Sequence, residues 1–73
     1  MKGYGYKVWS EDRCRGIAKG KDIIGSVRKI LGINQDRVLR MYERDDGDAV
    51  VFEEDSFVCD LKRFDLIPLK GGR

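Results

Sequence analysis

Only one stretch of this 73-residue chain carries a helical period, and that limits the folds open to it. Ile23, Ile24, Val27, Ile30 and Leu31 recur at i, i+1, i+4, i+7 and i+8, which gathers all five onto one helix face. Asp22 stands in the first turn, and Arg28 and Lys29 in the last turns, where each charge suits the helix dipole. Gly32 supplies the C-terminal stop. Gly25, in mid-helix, costs ~1 kcal/mol against alanine. It falls on one flank with Lys21 and Arg28, so it is either a tolerated glycine or a lowered surface that admits a partner. A lone amphipathic helix needs an apolar surface to cover, and the remaining segments offer strands.

Tyr4, Tyr6 and Val8 alternate with Gly5, Lys7 and Trp9, a period-two strand with Tyr6 and Val8 inward and Lys7 and Trp9 outward. Residues 10–13 form a polar turn and 14–18 a second strand, in which Gly16 suits a bulge. Residues 38–43 give a third strand, with Leu39 and Met41 inward. Asp45-Asp46-Gly47-Asp48 is a turn in which Gly47 takes positive φ cheaply, and 49–52 return as a fourth strand. Residues 53–63 read as a loop with one helical turn, anchored by Phe57 and Leu61. Residues 64–69 read as a last strand, central because Leu66 and Ile67 make both its faces apolar, and ended by Pro68. This order predicts an α+β chain, a ubiquitin-like β-grasp roll: a mixed sheet of about five strands with one main helix packed on it.

The length predicts a single domain over 1–73, expected as the N-terminal part of a longer protein, which buries only ~60% of its unfolded surface. An apolar content of 41% suffices for one core. No apolar run reaches membrane-spanning length and no signal-peptide pattern opens the chain, so an intracellular place, cytoplasm and/or nucleus, is expected. Cys14 and Cys59 lie outside any CxxC pattern and are expected as reduced thiols. The absence of histidine removes the commonest general base and metal ligand. Arg13 and Arg15 flank Cys14, but no partner base is evident, so the expectation is no enzyme, no catalytic residue and no cofactor. Asp45-Asp46-Gly47-Asp48 lacks the alternate spacing of a calcium loop, so no metal is expected. Gly71-Gly72 looks like the end of a ubiquitin-like modifier with Arg73 left to trim; an exit linker is the preferred reading.

Charge is the functional signal. Residues 1–44 hold eleven bases and five acids, whereas residues 45–73 hold eight acids and four bases. Each patch repels itself and invites a complementary surface on a second copy or a paralogue. Contact between two unlike faces is head-to-tail and yields rings or filaments. Nucleic-acid binding by the basic half is the lesser expectation, because the acidic half repels phosphate and no stacking-aromatic motif accompanies the bases.

Several motifs, in order, carry a family resemblance. Tyr6-Lys7-Val8-Trp9 with Arg13-Cys14-Arg15-Gly16-Ile17-Ala18 resembles the opening of the CIDE-N family, the domain of the caspase-activated DNase, its inhibitor and the cell-death-inducing effectors. The helix Asp22–Gly32, the strand Leu39–Glu43 with its Asp45-Asp46-Gly47 turn, Glu54-Asp55-Ser56-Phe57 and Phe64-Asp65-Leu66-Ile67 resemble its later segments. The resemblance implies a homotypic interaction module of the apoptotic DNA-fragmentation system. Such a module pairs with itself and with related CIDE-N domains through opposed faces. The strand Leu39–Glu43 looks slightly more like the nuclease subunit. Carried over by position, the basic face is Lys7, Arg13, Arg15, Lys19, Lys21, Arg28 and Lys29. The acidic face is Asp45, Asp46, Asp48, Glu53, Glu54, Asp55 and Asp60. Tyr42 to Asp55 also looks like the acidic motif of Phox-and-Bem-type scaffold domains, which expect a second helix after it.

Overall fold

Tight turns set the topology. In the computed structural model, which describes residues 3–66, β1 (Gly3–Ser10) reverses into β2 (Arg13–Lys19) through Glu11 and Asp12 alone. α1 (Ile23–Leu31) follows. Then β3 (Arg40–Glu43), β4 (Ala49–Glu53) and β5 (Ser56–Leu66) run as a meander. The sheet order is β2-β1-β5-β4-β3, and all four pairings are antiparallel. The mixed sheet expected from the sequence is therefore corrected. β1 and β5 meet in the middle of the sheet, antiparallel over seven residue pairs from Gly3↔Leu66 to Trp9↔Asp60.

The second correction concerns residues 53–63, read as a loop with a helical turn. Glu54 takes a left-handed φ of 56°, and the chain reverses within Glu54-Asp55. It then continues as the eleven-residue β5. A register shift against β4 leaves Val58 as an extra residue between Phe57, opposite Phe52, and Cys59, opposite Val51. That bulge breaks the period-two pattern just where the strand begins, which hid it in the sequence. The strand expected at 64–69 is the end of β5; Ile67, Pro68, Leu69 and the Gly71-Gly72 tail lie outside the described residues.

The expected inward positions hold. Tyr6 and Val8 of β1, Ala18 of β2, Ala49 and Val51 of β4, and Cys59 and Leu61 of β5 are buried on one sheet face with Val27 and Leu39. Met41 packs at the margin of this core. Ile30 seats α1 on β2, because a Cβ on Gly16 would come within 3.2 Å of three Ile30 side-chain atoms. The bulge expected at Gly16 lies beside it: Val8 opposes Gly16 and Trp9 opposes Cys14, which makes Arg15 the extra residue. Strand β3 begins at Arg40, two residues later than expected, and Val38 is exposed.

Asp22 precedes the helix rather than lying in its first turn. It is the N-cap, and its Oδ1 accepts from the Gly25 N–H at 2.9 Å. A Cβ at Gly25 would run into that carboxylate, so the glycine makes room for the cap. Lys21 lies outside the helix, which removes the shared flank with Arg28. Gly32 ends α1 at φ 70°, and the Ile33 N–H donates to the Arg28 carbonyl at 3.0 Å.

Glu11 and Asp12 both hold positive φ, 55° and 64°, as a two-residue type I′ hairpin turn demands. Side chains with a Cβ are strained there. The double substitution Glu11→Asn, Asp12→Gly is therefore expected to stabilise the fold by about 1 kcal/mol, which raises Tm by ~4–8 °C for a domain of this size. Thermal unfolding followed by circular dichroism checks this, and an unchanged or lower Tm would contradict the turn type.

Candidate functional site

The sheet order turns a bias along the sequence into a bias in space. Strands β1 and β2 with α1, residues 3–31, bring seven bases and three acids to one side of the sheet. Residues 40–55, which comprise β3, β4 and the turns beside them, bring seven acids and two bases to the other. Strand β5 lies between them with two of each sign, Asp60 and Asp65 against Lys62 and Arg63. Four strand spacings separate the edge strands, roughly 19 Å.

On the basic side, Arg13, Lys19, Lys21 and Lys29 are exposed. Arg15 is partly covered and pairs with Glu11 at 3.5 Å. Arg28 is occupied in holding the chain after the helix, its Nη1 donating to the Asn34 carbonyl at 2.6 Å. A concavity of ≈ 840 Å³ on this side is lined by Lys19, Arg28, Lys29 and Asn34, among others. Lys7 stands apart from the edge, exposed on the sheet face that α1 does not cover.

The acidic residues do not form one patch. Asp45, Asp46 and Asp48 lie in the β3–β4 turn and Glu54 and Asp55 in the β4–β5 turn, beyond opposite ends of a five-residue strand and so roughly 20 Å apart. Asp46 Oδ1 accepts from the Asp48 N–H at 3.0 Å, and Asp48 Oδ1 accepts from the Arg63 N–H at 2.9 Å, which ties the turn to β5. Glu53 is taken up by the Arg37 guanidinium, whose Nε donates to both carboxylate oxygens at 3.1 and 3.0 Å. Those hydrogen bonds hold the Glu53 carboxyl below its ordinary range against the opposing effect of burial. Asp60 points to the open sheet face, half-buried. The acids left exposed for a partner are Asp45, Asp46, Glu54 and Asp55.

Beside Lys7, which was expected on the basic face, the open face carries side chains that were assigned no role in either face from the sequence. Register places Lys7 and Trp9 of β1, Lys62 and Phe64 of β5, Phe52 of β4 and Tyr42 of β3 on this one side. Phe57 joins them: Tyr42 meets Phe52 and Phe52 meets Phe57, both at 6.0 Å between centroids and both edge to face. The Lys62 ammonium sits 5.1 Å from the Trp9 ring centroid. The alternation Asp60, Lys62, Phe64 against Cys59, Leu61 was the available signal, masked by the bulge before it. The Trp9 indole N–H is buried with no hydrogen-bond partner among the protein's described residues.

Among the described residues no His/Cys/Asp/Glu group is placed to hold a metal, and no helix is long and apolar enough to cross a membrane. Both cysteines are free, Cys14 exposed and Cys59 buried. Burial first, and the Asp60 charge second, push the Cys59 thiol from an ordinary 9.0 up to about 11. Since the folded pKa is the higher, this thiol's contribution to stability is complete below pH 9 and is lost as pH rises through about 11. Tyr6, raised chiefly by burial, acts in the same sense above its ordinary 10.0. At pH 8 a thiol reagent is expected to modify one cysteine per chain quickly, and Cys59 only on unfolding. Chemical denaturation at pH 8, 9.5 and 11 is expected to show falling stability, and two fast thiols at pH 8 would contradict the burial of Cys59. No family model, curated protein or solved structure matches the chain.

Proposed function

We propose that the chain is a homotypic protein-interaction module that assembles head-to-tail, the basic edge of one copy against the acidic edge of the next. The observation that carries this reading is the segregation of charge across the sheet, bases on the β2–α1 side and acids on the β3–β4 side. Opposed, unlike edges leave each partner with one face still open, so contact propagates into a ring or a helical filament. Complementary charge supplies orientation and a fast encounter more than raw affinity. Arg13, Lys19, Lys21 and Lys29 make the basic contacts, and Asp45, Asp46, Glu54 and Asp55 the acidic ones.

Within this reading the module is of the CIDE-N type, and its hetero-partner is a related CIDE-N domain of the apoptotic DNA-fragmentation system. The β-grasp assignment rests on one helix over one five-stranded sheet, with the first and last strands side by side at its centre. The antiparallel sense of that central pair is where the chain departs from a mixed roll. The Phox-and-Bem reading is disfavoured, because the segment after the acidic loop, where a second helix is expected, is strand β5.

Light scattering on the purified chain at low and high salt tests the proposal. Concentration-dependent assemblies that shrink as salt rises are expected. Lys21→Ala with Lys29→Ala, and separately Asp45→Asn with Asp55→Asn, should each reduce assembly. Mixing the two double variants should give a dimer and nothing larger, because each keeps one intact edge. Monomers at every salt concentration, or variants that assemble like the parent, would refute head-to-tail pairing.

A further inference from the structure

We propose that the open face of the sheet binds single-stranded nucleic acid, through base stacking on its aromatic rings and phosphate contacts to its lysines. The inference does not rest on the assembly reading. Its basis is the distribution of side chains between the two sheet faces. The chain has seven aromatic residues, and five of them (Trp9, Tyr42, Phe52, Phe57 and Phe64) lie on the side opposite the helix. A soluble sheet that alternates apolar-in and polar-out places such rings in the core instead. Here Phe57 and Tyr42 are 54% and 52% exposed, too open to be explained by packing.

The charges on the same face fit a polyanion. Strand register places Lys7, Lys19, Lys62 and Arg40 beside the rings, with Asp60 the one acid that the strands themselves contribute. Acidic turns do reach the margins of this face, Glu11 and Asp12 beside Trp9 and Phe57, and Asp46 and Asp48 beside Asp60 and Lys62, so the path open to phosphate is the row of bases between them. The missing stacking motif is also supplied, assembled from four strands rather than from one sequence run. Lys62 over Trp9 puts a cation against a ring on β1 and β5, and the Tyr42–Phe52–Phe57 series continues the rings toward β3. Such a surface tracks a backbone while the bases lie on the rings. Duplex DNA presents its rings stacked and paired, so a flat aromatic face favours an unpaired strand. Asp60, half-buried among the rings, places an acceptor where an exocyclic amine can reach it, which favours cytosine over thymine.

The chain's single tryptophan, Trp9, makes the test direct. The full 73-residue chain is titrated with a ten-nucleotide oligodeoxycytidine, oligodeoxythymidine and a duplex of equal length, following tryptophan fluorescence and oligonucleotide anisotropy. Quenching of Trp9 is expected, with the order oligodeoxycytidine, then oligodeoxythymidine, then duplex. Three to four phosphate contacts give a log–log salt slope of about −2 to −3. Phe57→Ala or Tyr42→Ala, each titrated at a temperature where circular dichroism shows the variant folded, should weaken binding from about five-fold to about a hundred-fold. Lys21→Ala with Lys29→Ala, away from this face, should leave it unchanged.

Three results would overturn the proposal. One is no quenching at millimolar oligonucleotide. Another is binding lost with Lys21 and Lys29 but kept in Phe57→Ala, which assigns it to the basic edge. The third is loss of self-association in Phe57→Ala without any oligonucleotide binding, which makes the face a protein interface.

Discussion

The antiparallel pairing of β1 with β5 is the constraint on which the rest of this structure depends. Each of these strands is covered on both edges, β1 by β2 and β5 by β4, so the pair forms the closed middle of the sheet. It also joins the two ends of the described chain, which fixes where every other element falls. The N-terminal hairpin is pushed to one edge and the β3–β4 hairpin to the other. The segment from Gly20 to Leu39 must then cross the sheet from the β2 edge to the β3 edge. α1 lies on that crossing, and Leu39 closes the core at its far end. One helix covers one face, and the other face is left to the side chains that β1, β5, β4 and β3 place there.

Much of this was legible in the sequence, and the failures have physical causes. The helix, its glycine stop and the inward positions Tyr6, Val8, Leu39 and Met41 follow from periodicity, because propensity and burial agree at those sites. The direction of β5 was not legible. Whether a terminal strand runs parallel or antiparallel to the first depends on how many reversals precede it, and one reversal was hidden in Glu53-Glu54-Asp55-Ser56. Glutamate at φ 56° gives no sequence signal for a turn, since glycine, asparagine or aspartate normally hold that conformation. The bulge at Val58 then cancels the alternation that would have revealed the strand.

The candidate site divides along the same line. Sign and approximate location of charge could be read from the chain, because charged residues sit on the outside regardless of topology. Which charges remain available could not. Glu53 and Asp48 look like partner-binding acids in sequence, but one holds Arg37 and the other caps the Arg63 N–H. Arg28 likewise secures the turn after α1. Gly25, expected as either a tolerated glycine or a notch for a partner, accommodates the Asp22 carboxylate. Each of these is a tertiary contact between residues with no fixed spacing in sequence. The aromatic face is the extreme case, since its rings come from four strands and become one surface only when the register is known.

The same geometry explains how unlike charges can be carried so close together without neutralising one another. The acidic turns at the two ends of β4 lie three strand spacings from β2, roughly 14 Å of sheet, whereas charges in physiological salt are screened over about 8 Å. Little attraction between the edges is therefore available inside the monomer, and neither edge gains much by bending toward the other. Contact between copies shortens that separation to hydrogen-bonding range and recovers the interaction. The central strand pair thus acts as a spacer: it is stiff because it is paired on both sides, and nearly neutral because β5 carries equal charges of each sign. A parallel or reordered sheet that placed β4 beside β2 would satisfy those charges internally and leave nothing to direct assembly.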